Sequence, residues 1–115
     1  MARVVAFIPD LLFGSNVLGA LSAAGHEPVL ASNLDVVRAE LPGADALVVD
    51  LTADAGDRIA QLAAIPHDDV KTLAFYSHVQ ADVRAQAEHA GFDLVVPRSR
   101  MAREGASLVT RLTAT

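Results

Sequence analysis

The chain has no cysteine and no tryptophan, one tyrosine, and a single lysine, Lys71, in 115 residues. Lack of cysteine excludes disulfides, thiolate metal sites and cysteine nucleophiles together, and it fits a reducing compartment. With so few aromatics, a core has to be built from Ala, Val and Leu, packed by helices that approach closely through small side chains. Basic residues are the minority, 9 against 14 acidic ones for a net charge of -5. No basic block occurs, so nucleic acid is excluded as a direct ligand, because phosphate contacts need a basic patch. No segment approaches the roughly 20 apolar residues of a membrane span. The apolar run near the N-terminus, Val4 to Ile8, is broken by Pro9-Asp10 and again by Gly14-Ser15-Asn16, short of signal-peptide length. The expectation is one soluble, unprocessed cytoplasmic domain over residues 1–115, with no membrane partner.

What is present is apolar: 52% of residues are hydrophobic, enough to cover both faces of a small sheet. Five short apolar runs alternate with five segments of helical period, which predicts a parallel sheet with helices on both faces. The strands are expected at Arg3 to Ile8, Pro28 to Ala31, Ala46 to Asp50, Thr72 to Tyr76 and Leu94 to Val96. Near-continuous apolar strands of this kind are buried on both faces. The first helix is expected to start at Ser15 or Asn16, both good N-caps, and to stop at Gly25 with Val17, Leu18 and Leu21 inward. The second follows Ser32-Asn33, buries Leu34, Val37 and Leu41, and ends at Pro42-Gly43. The third turns Ile59 and Leu62 inward before Pro66, and the fourth repeats Val83, Ala87 and Ala90 before Gly91. The last, after Ser99, puts Met101, Gly105, Leu108 and Leu112 on one stripe. Short right-handed connections leave few topologies, of which the common one is a three-layer flavodoxin-like domain with strand order 2-1-3-4-5.

In such sheets the chemistry lies at the carboxyl ends of the strands. Asp10, Asp50, Ser77-His78 and Pro97-Arg98-Ser99-Arg100 follow four of the five runs and are expected to share one rim. Each also has a plain reading. Asp50 could cap the turn after its strand, and Asp10 could solvate a loop. Ser15, at the start of the first helix, could present backbone N–H groups to an anion or simply cap the helix. His78 is a base, a phosphate donor or a pH-sensitive contact on one reading, and a loop histidine on the other. Arg98 and Arg100 flank Ser99 at a helix start, where the macrodipole disfavours cations, which suggests an anion site. Ser77-His78 makes no hydrolase triad, for no G-x-S-x-G elbow exists, and the remaining histidines, His26, His67 and His89, have no partner at metal-ligand spacing.

Over essentially the whole length the residues resemble the receiver domain of bacterial two-component response regulators. Asp50-Leu51, Asp57 seven positions on, and then Ile59 and Leu62 follow the spacing of the receiver phosphoacceptor loop and third helix. Ala90-Gly91 before Asp93-Leu94-Val95-Val96-Pro97 resembles the passage from fourth helix to fifth strand, and Ser77 falls where the family has Thr or Ser. The resemblance implies phosphorylation of Asp50 by a histidine kinase, Mg²⁺ held by Asp50 and an acidic pair after the first strand, and a Lys after the fifth strand. The departures are specific. Ile8-Pro9-Asp10 supplies one acid, the Lys position reads Pro97, Asp54 stands where the loop usually carries Pro, and Leu94 stands where a switching aromatic is usual.

The expectation is therefore a degenerate, stand-alone receiver-like signalling domain, not an enzyme. It would act by association with a protein partner or as a homodimer, outside the standard phosphorelay cycle. The receiver resemblance implies a partner surface on the fourth helix, fifth strand and fifth helix, here Gln80, Arg84, Glu88, Arg103 and Thr110. No cofactor is expected; Asp10 and Asp50 are the only candidates for holding Mg²⁺. Two alternatives stay open: a small-anion binder or enzyme on the same scaffold, using Arg98 and Arg100 with Ser77 or His78, and a working receiver phosphorylated on Asp50.

Overall fold

The computed structural model describes residues 2–114. Five parallel strands, β1 (Arg3–Phe7), β2 (Glu27–Ala31), β3 (Ala46–Asp50), β4 (Lys71–Tyr76) and β5 (Leu94–Pro97), lie in the order β2-β1-β3-β4-β5. They alternate with α1 (Leu11–Ala23), α2 (Leu34–Glu40), α3 (Ala55–Ala63), α4 (Ala81–Ala90) and α5 (Arg98–Thr113). The flavodoxin-like order read from the sequence is the observed one. Strand ends agree with expectation to within one residue.

Alternation along the strands divides the core into two layers. Val5, Phe7, Leu47, Val49, Ala74 and Tyr76 face α2, α3 and α4, and meet Val37, Leu62, Val83 and Ala87. Val4, Ala6, Ile8, Val48, Leu73, Phe75 and Val96 face α1 and α5, and meet Phe13, Val17, Leu21, Met101 and Leu108. Every residue of the central strand β3 is buried.

The first helix departs from the sequence reading. It begins at Leu11, not at Ser15 or Asn16, because the Asp10 carboxylate accepts the N–H groups of Leu12 and Phe13 at 3.0 and 3.1 Å and caps it. Gly14 is then a packing residue, not a breaker: a Cβ there would come within 2.8 Å of the Leu30 side chain. Starting one turn early also brings Phe13 onto Phe75, with ring centres 5.2 Å apart. The last helix likewise starts at Arg98, with Pro97 in the cap position and Ser99 inside the first turn. The fourth turns Val83 and Ala87 inward but leaves Ala90 exposed.

Phe75 is completely buried and carries the tilted contact with Phe13. Phe75→Ala is expected to lower unfolding free energy by about 3–5 kcal/mol, read from urea denaturation followed by circular dichroism. A loss below about 1 kcal/mol would mean that the α1 layer repacks freely around the gap.

Candidate functional site

Parity sets the site. Asp50 follows Ala46 and Val48, which face α1 and α5, and it pairs with Phe75, which faces the same way. Asp10 follows β1, Ser77 follows β4 and Arg98 opens the helix after β5, so all three stand at the same carboxyl rim as Asp50.

Asp50 is only 5% exposed. Its Oδ1 accepts two hydrogen bonds from Thr52, from the backbone N–H at 2.8 Å and from the hydroxyl at 2.6 Å. This is the local turn that Asp forms with the residue two positions on. Among the described residues Oδ2 receives no hydrogen bond, yet it is not sealed from solvent. On the opposite side of the strand, the Arg58 guanidinium donates to the Asp50 carbonyl oxygen at 2.5 Å and lies 4.9 Å above the Phe7 ring. Thr52 and Arg58 were not singled out from the sequence. The Asp-x-Thr spacing was a readable signal for the first, whereas Arg58 needed the fold.

Asp10 is doubly engaged. Oδ1 caps α1, and Oδ2 lies 3.7 Å from Arg98 Nη2. The Arg98 guanidinium in turn stacks 4.1 Å above the Phe13 ring, so Arg98, Phe13 and Phe75 form a column beside the Asp50 strand end. Both ends of the Asp10–Arg98 pair are about half exposed, where such pairs contribute little alone; the ring beneath adds a cation–π contact.

Ser77 is half-buried and His78 exposed, in a turn closed by the Gln80 N–H on the Ser77 carbonyl at 2.8 Å. Ser15 lies in the second turn of α1, so the structure does not make it a helix-start ligand. Ser99 does not cap α5. Arg100 pairs with Glu104 at 3.4 Å and lines the β5 edge with Leu94, Leu108 and Arg111. Arg98 and Arg100 therefore do not close on one anion: residues two positions apart on a helix point about 200° apart, to nearly opposite sides. Lys71 opens β4, at the opposite end of the sheet.

The expected partner surface is also divided. Arg84 and Glu88 pair along α4 at 3.6 Å and Arg103 is exposed. Gln80 is half-buried, its Oε1 unpartnered. Thr110 turns away from them, bonding His26 Nε2 at 2.8 Å and the Ala106 carbonyl at 2.9 Å. Arg100, expected at the anion site, and Arg111, not singled out from the sequence, flank Leu94 at the sheet edge instead.

No family model matches the sequence, and no curated protein matches it. Solved structures do. A response regulator from Thermotoga maritima superposes with a TM-score of 0.81 at 16% identity, covering 100% of this chain and 99% of that one. HP1043, an orphan response regulator of H. pylori, gives 0.80 at 13% identity over 98% and 97%. The signal receiver domain of the putative response regulator NarL from Mycobacterium tuberculosis gives 0.73 at 20% identity over 97% and 95%. The chain has the receiver fold.

The fold family implies Mg²⁺ beside the phosphoacceptor aspartate, and the donors here do not fit it. A hard divalent cation takes several oxygen ligands. Among the described residues no three acidic or histidine side chains gather to hold a metal. Three of the four carboxylate oxygens of Asp10 and Asp50 already face Thr52, the start of α1 or Arg98. The β3–α3 loop differs too: Asp54 has φ of 53°, in the left-handed region. Proline, fixed near φ of about -65°, cannot adopt that backbone.

Capping and ion pairing at Asp10 separate by substitution. Asp10→Ala should cost about 1 kcal/mol, whereas Asp10→Asn, an equally good cap, should stay within about 0.5 kcal/mol of the parent. Equal losses in urea denaturation would shift the weight to the Arg98 pair. Asp54→Pro should cost more than about 1 kcal/mol while Asp54→Gly is neutral or stabilising; a stable Asp54→Pro protein would show that the loop backbone is not held at positive φ.

Proposed function

We propose that this chain is a receiver-like regulatory domain that acts by protein–protein association, outside the Mg²⁺-dependent aspartyl-phosphorylation cycle. The observation that carries this reading is Asp10: its carboxylate caps α1 and faces Arg98 instead of joining a second acid beside Asp50. Phosphoryl transfer to a carboxylate builds charge that a cation has to offset. With Pro97 where the resemblance implies Lys, no ammonium stands at that position to do so. A degenerate receiver, without enzymatic activity of its own and without a metal cofactor, follows. Its work in the cytoplasm would be to present a surface that a protein partner or a second copy recognises.

One observation favours the working receiver as a second reading. Among the described residues Asp50 Oδ2 receives no hydrogen bond, and Ser77 follows the neighbouring strand β4 at the same rim. The small-anion reading has less support, because Arg98 faces Asp10 and Arg100 pairs with Glu104.

An NMR titration of the labelled protein with Mg²⁺ and then beryllofluoride, a phosphoryl mimic, decides between them. The expected result is an unchanged spectrum around Asp50, Ser77 and β5. Specific shifts there that vanish in Asp50→Ala would establish a working receiver and end the proposal.

A further inference from the structure

α3 and α4 meet through small residues, and the space between them is not filled. A groove of about 430 Å³ separates Gly56, Ile59 and Ala63 on α3 from Gln86, His89 and Ala90 on α4. A smaller recess of about 80 Å³ shares Ile59, Ala63 and Ala90 with it and carries on to His67 and Phe92. The two form one largely apolar trough along the helix pair. Ala90 lies exposed in it, although its spacing from Val83 and Ala87 is that of a core position.

Gly56 adds a second mark. A glycine within a helix costs stability relative to alanine, and the fold does not ask for one here. A Cβ at Gly56 would meet nothing within 4 Å, and its backbone is not in the left-handed region. What the missing side chain does provide is bare backbone at the mouth of the trough, where an outside group can lie close.

Charge selects the occupant. Asp82, Gln86 and His89 recur on α4 at intervals of four and three, so Asp82 continues the trough wall one turn before Gln86. Asp57 follows Gly56 in the first turn of α3, and Asp68 and Asp69 follow His67 at the far end. All four are exposed, and among the described residues none of them is ion-paired. The arginines of the two helices do not offset them: Arg58 is turned inward onto the Asp50 carbonyl and the Phe7 ring, and Arg84 is paired with Glu88. Lys71, at the start of β4, follows the far pair in sequence. An apolar trough with acids at both ends is complementary to an apolar face flanked by cations.

Shape selects a helix. α3 and α4 cover a face of the sheet and expose no strand edge, so an extended segment would find no backbone partners there. A helix satisfies its own backbone and lays one apolar stripe into such a groove, with anchors three and four residues apart. The chain's own helices do not supply this combination. The arginine-rich α5 already buries Met101, Leu108 and Val109, and the exposed leucines of α1 sit on a helix without a cation.

We propose that the α3–α4 trough is the docking site of a basic amphipathic helix carried by a protein partner, with apolar anchors between Ile59 and Ala90 and Lys or Arg beside Asp57 and Asp82. The inference rests on the association reading above and names the partner's chemistry and the surface it meets.

The probe is a synthetic helix-forming peptide of about 18 residues with leucine on one face and lysine on the other, titrated into the labelled full chain and followed by NMR. A peptide with glutamate in place of lysine is the control. Amide shifts confined to α3, α4 and the Gly91-Phe92 turn are expected with the lysine peptide, and none with the glutamate peptide. Ala90→Arg, which fills the trough and adds a cation, should weaken binding roughly tenfold or more, whereas Ala102→Arg, the same change of charge on the exposed side of α5, should leave it unaltered. Asp82→Asn should weaken binding and flatten its salt dependence; circular dichroism confirms that each variant folds. No binding up to millimolar peptide would overturn the proposal. So would equal binding of both peptides, shifts centred on another face, or an Ala102→Arg effect as large as that of Ala90→Arg. The association reading is judged separately by the Mg²⁺ and beryllofluoride titration, so either can fail alone.

Discussion

Burial of β3 on both faces is the constraint from which the rest of the structure follows. A central parallel strand has no solvent side, so its residues alternate strictly between two apolar layers, and a slip of one position would turn Leu47 and Val49 into the wrong layer. Once that register is held, Asp50 has no freedom of direction. It emerges on the α1–α5 side, level with Phe75, while Asp10, Ser77 and Arg98 stand at the same rim after β1, β4 and β5. The site is a consequence of core packing, not of any sequence motif on its own.

A carboxylate at 5% exposure needs partners to remain tolerable. Thr52 provides two at once, from backbone and hydroxyl, on the same oxygen. The solution is local, within the turn that follows the strand. Arg58 acts on the other side of the strand, where its guanidinium satisfies the Asp50 carbonyl and rests on Phe7. The strand end is thus tied to both layers by groups the chain itself carries.

Strands and their order were legible in the sequence because both-face burial writes itself as unbroken apolar runs such as Ala46 to Val49 and Leu73 to Tyr76. Helix ends were legible where glycine takes positive φ, as at Gly25 and Gly91, and where Asn33 caps. The start of α1 was not. Gly14-Ser15-Asn16 carries every local mark of a helix boundary, and it was overridden by tertiary contact, since Gly14 is needed against Leu30 and Phe13 against Phe75. That one error displaced Ser15 from the rim. Pairings between distant residues were equally hidden: nothing near Arg98 in sequence announces Phe13, and nothing near Thr110 announces His26.

The early start of α1 also explains the chemistry of Asp10. A carboxylate in the cap position is held by backbone N–H groups and by the positive end of the helix. Pro9, immediately before it, offers neither charge nor N–H, so no second acid shares the burden of holding a metal. Arg98 then approaches from α5, supported by the Phe13 ring that the same early start brought into place. Cap, ring and guanidinium form one arrangement, and each part of it holds Asp10 against α1 and α5.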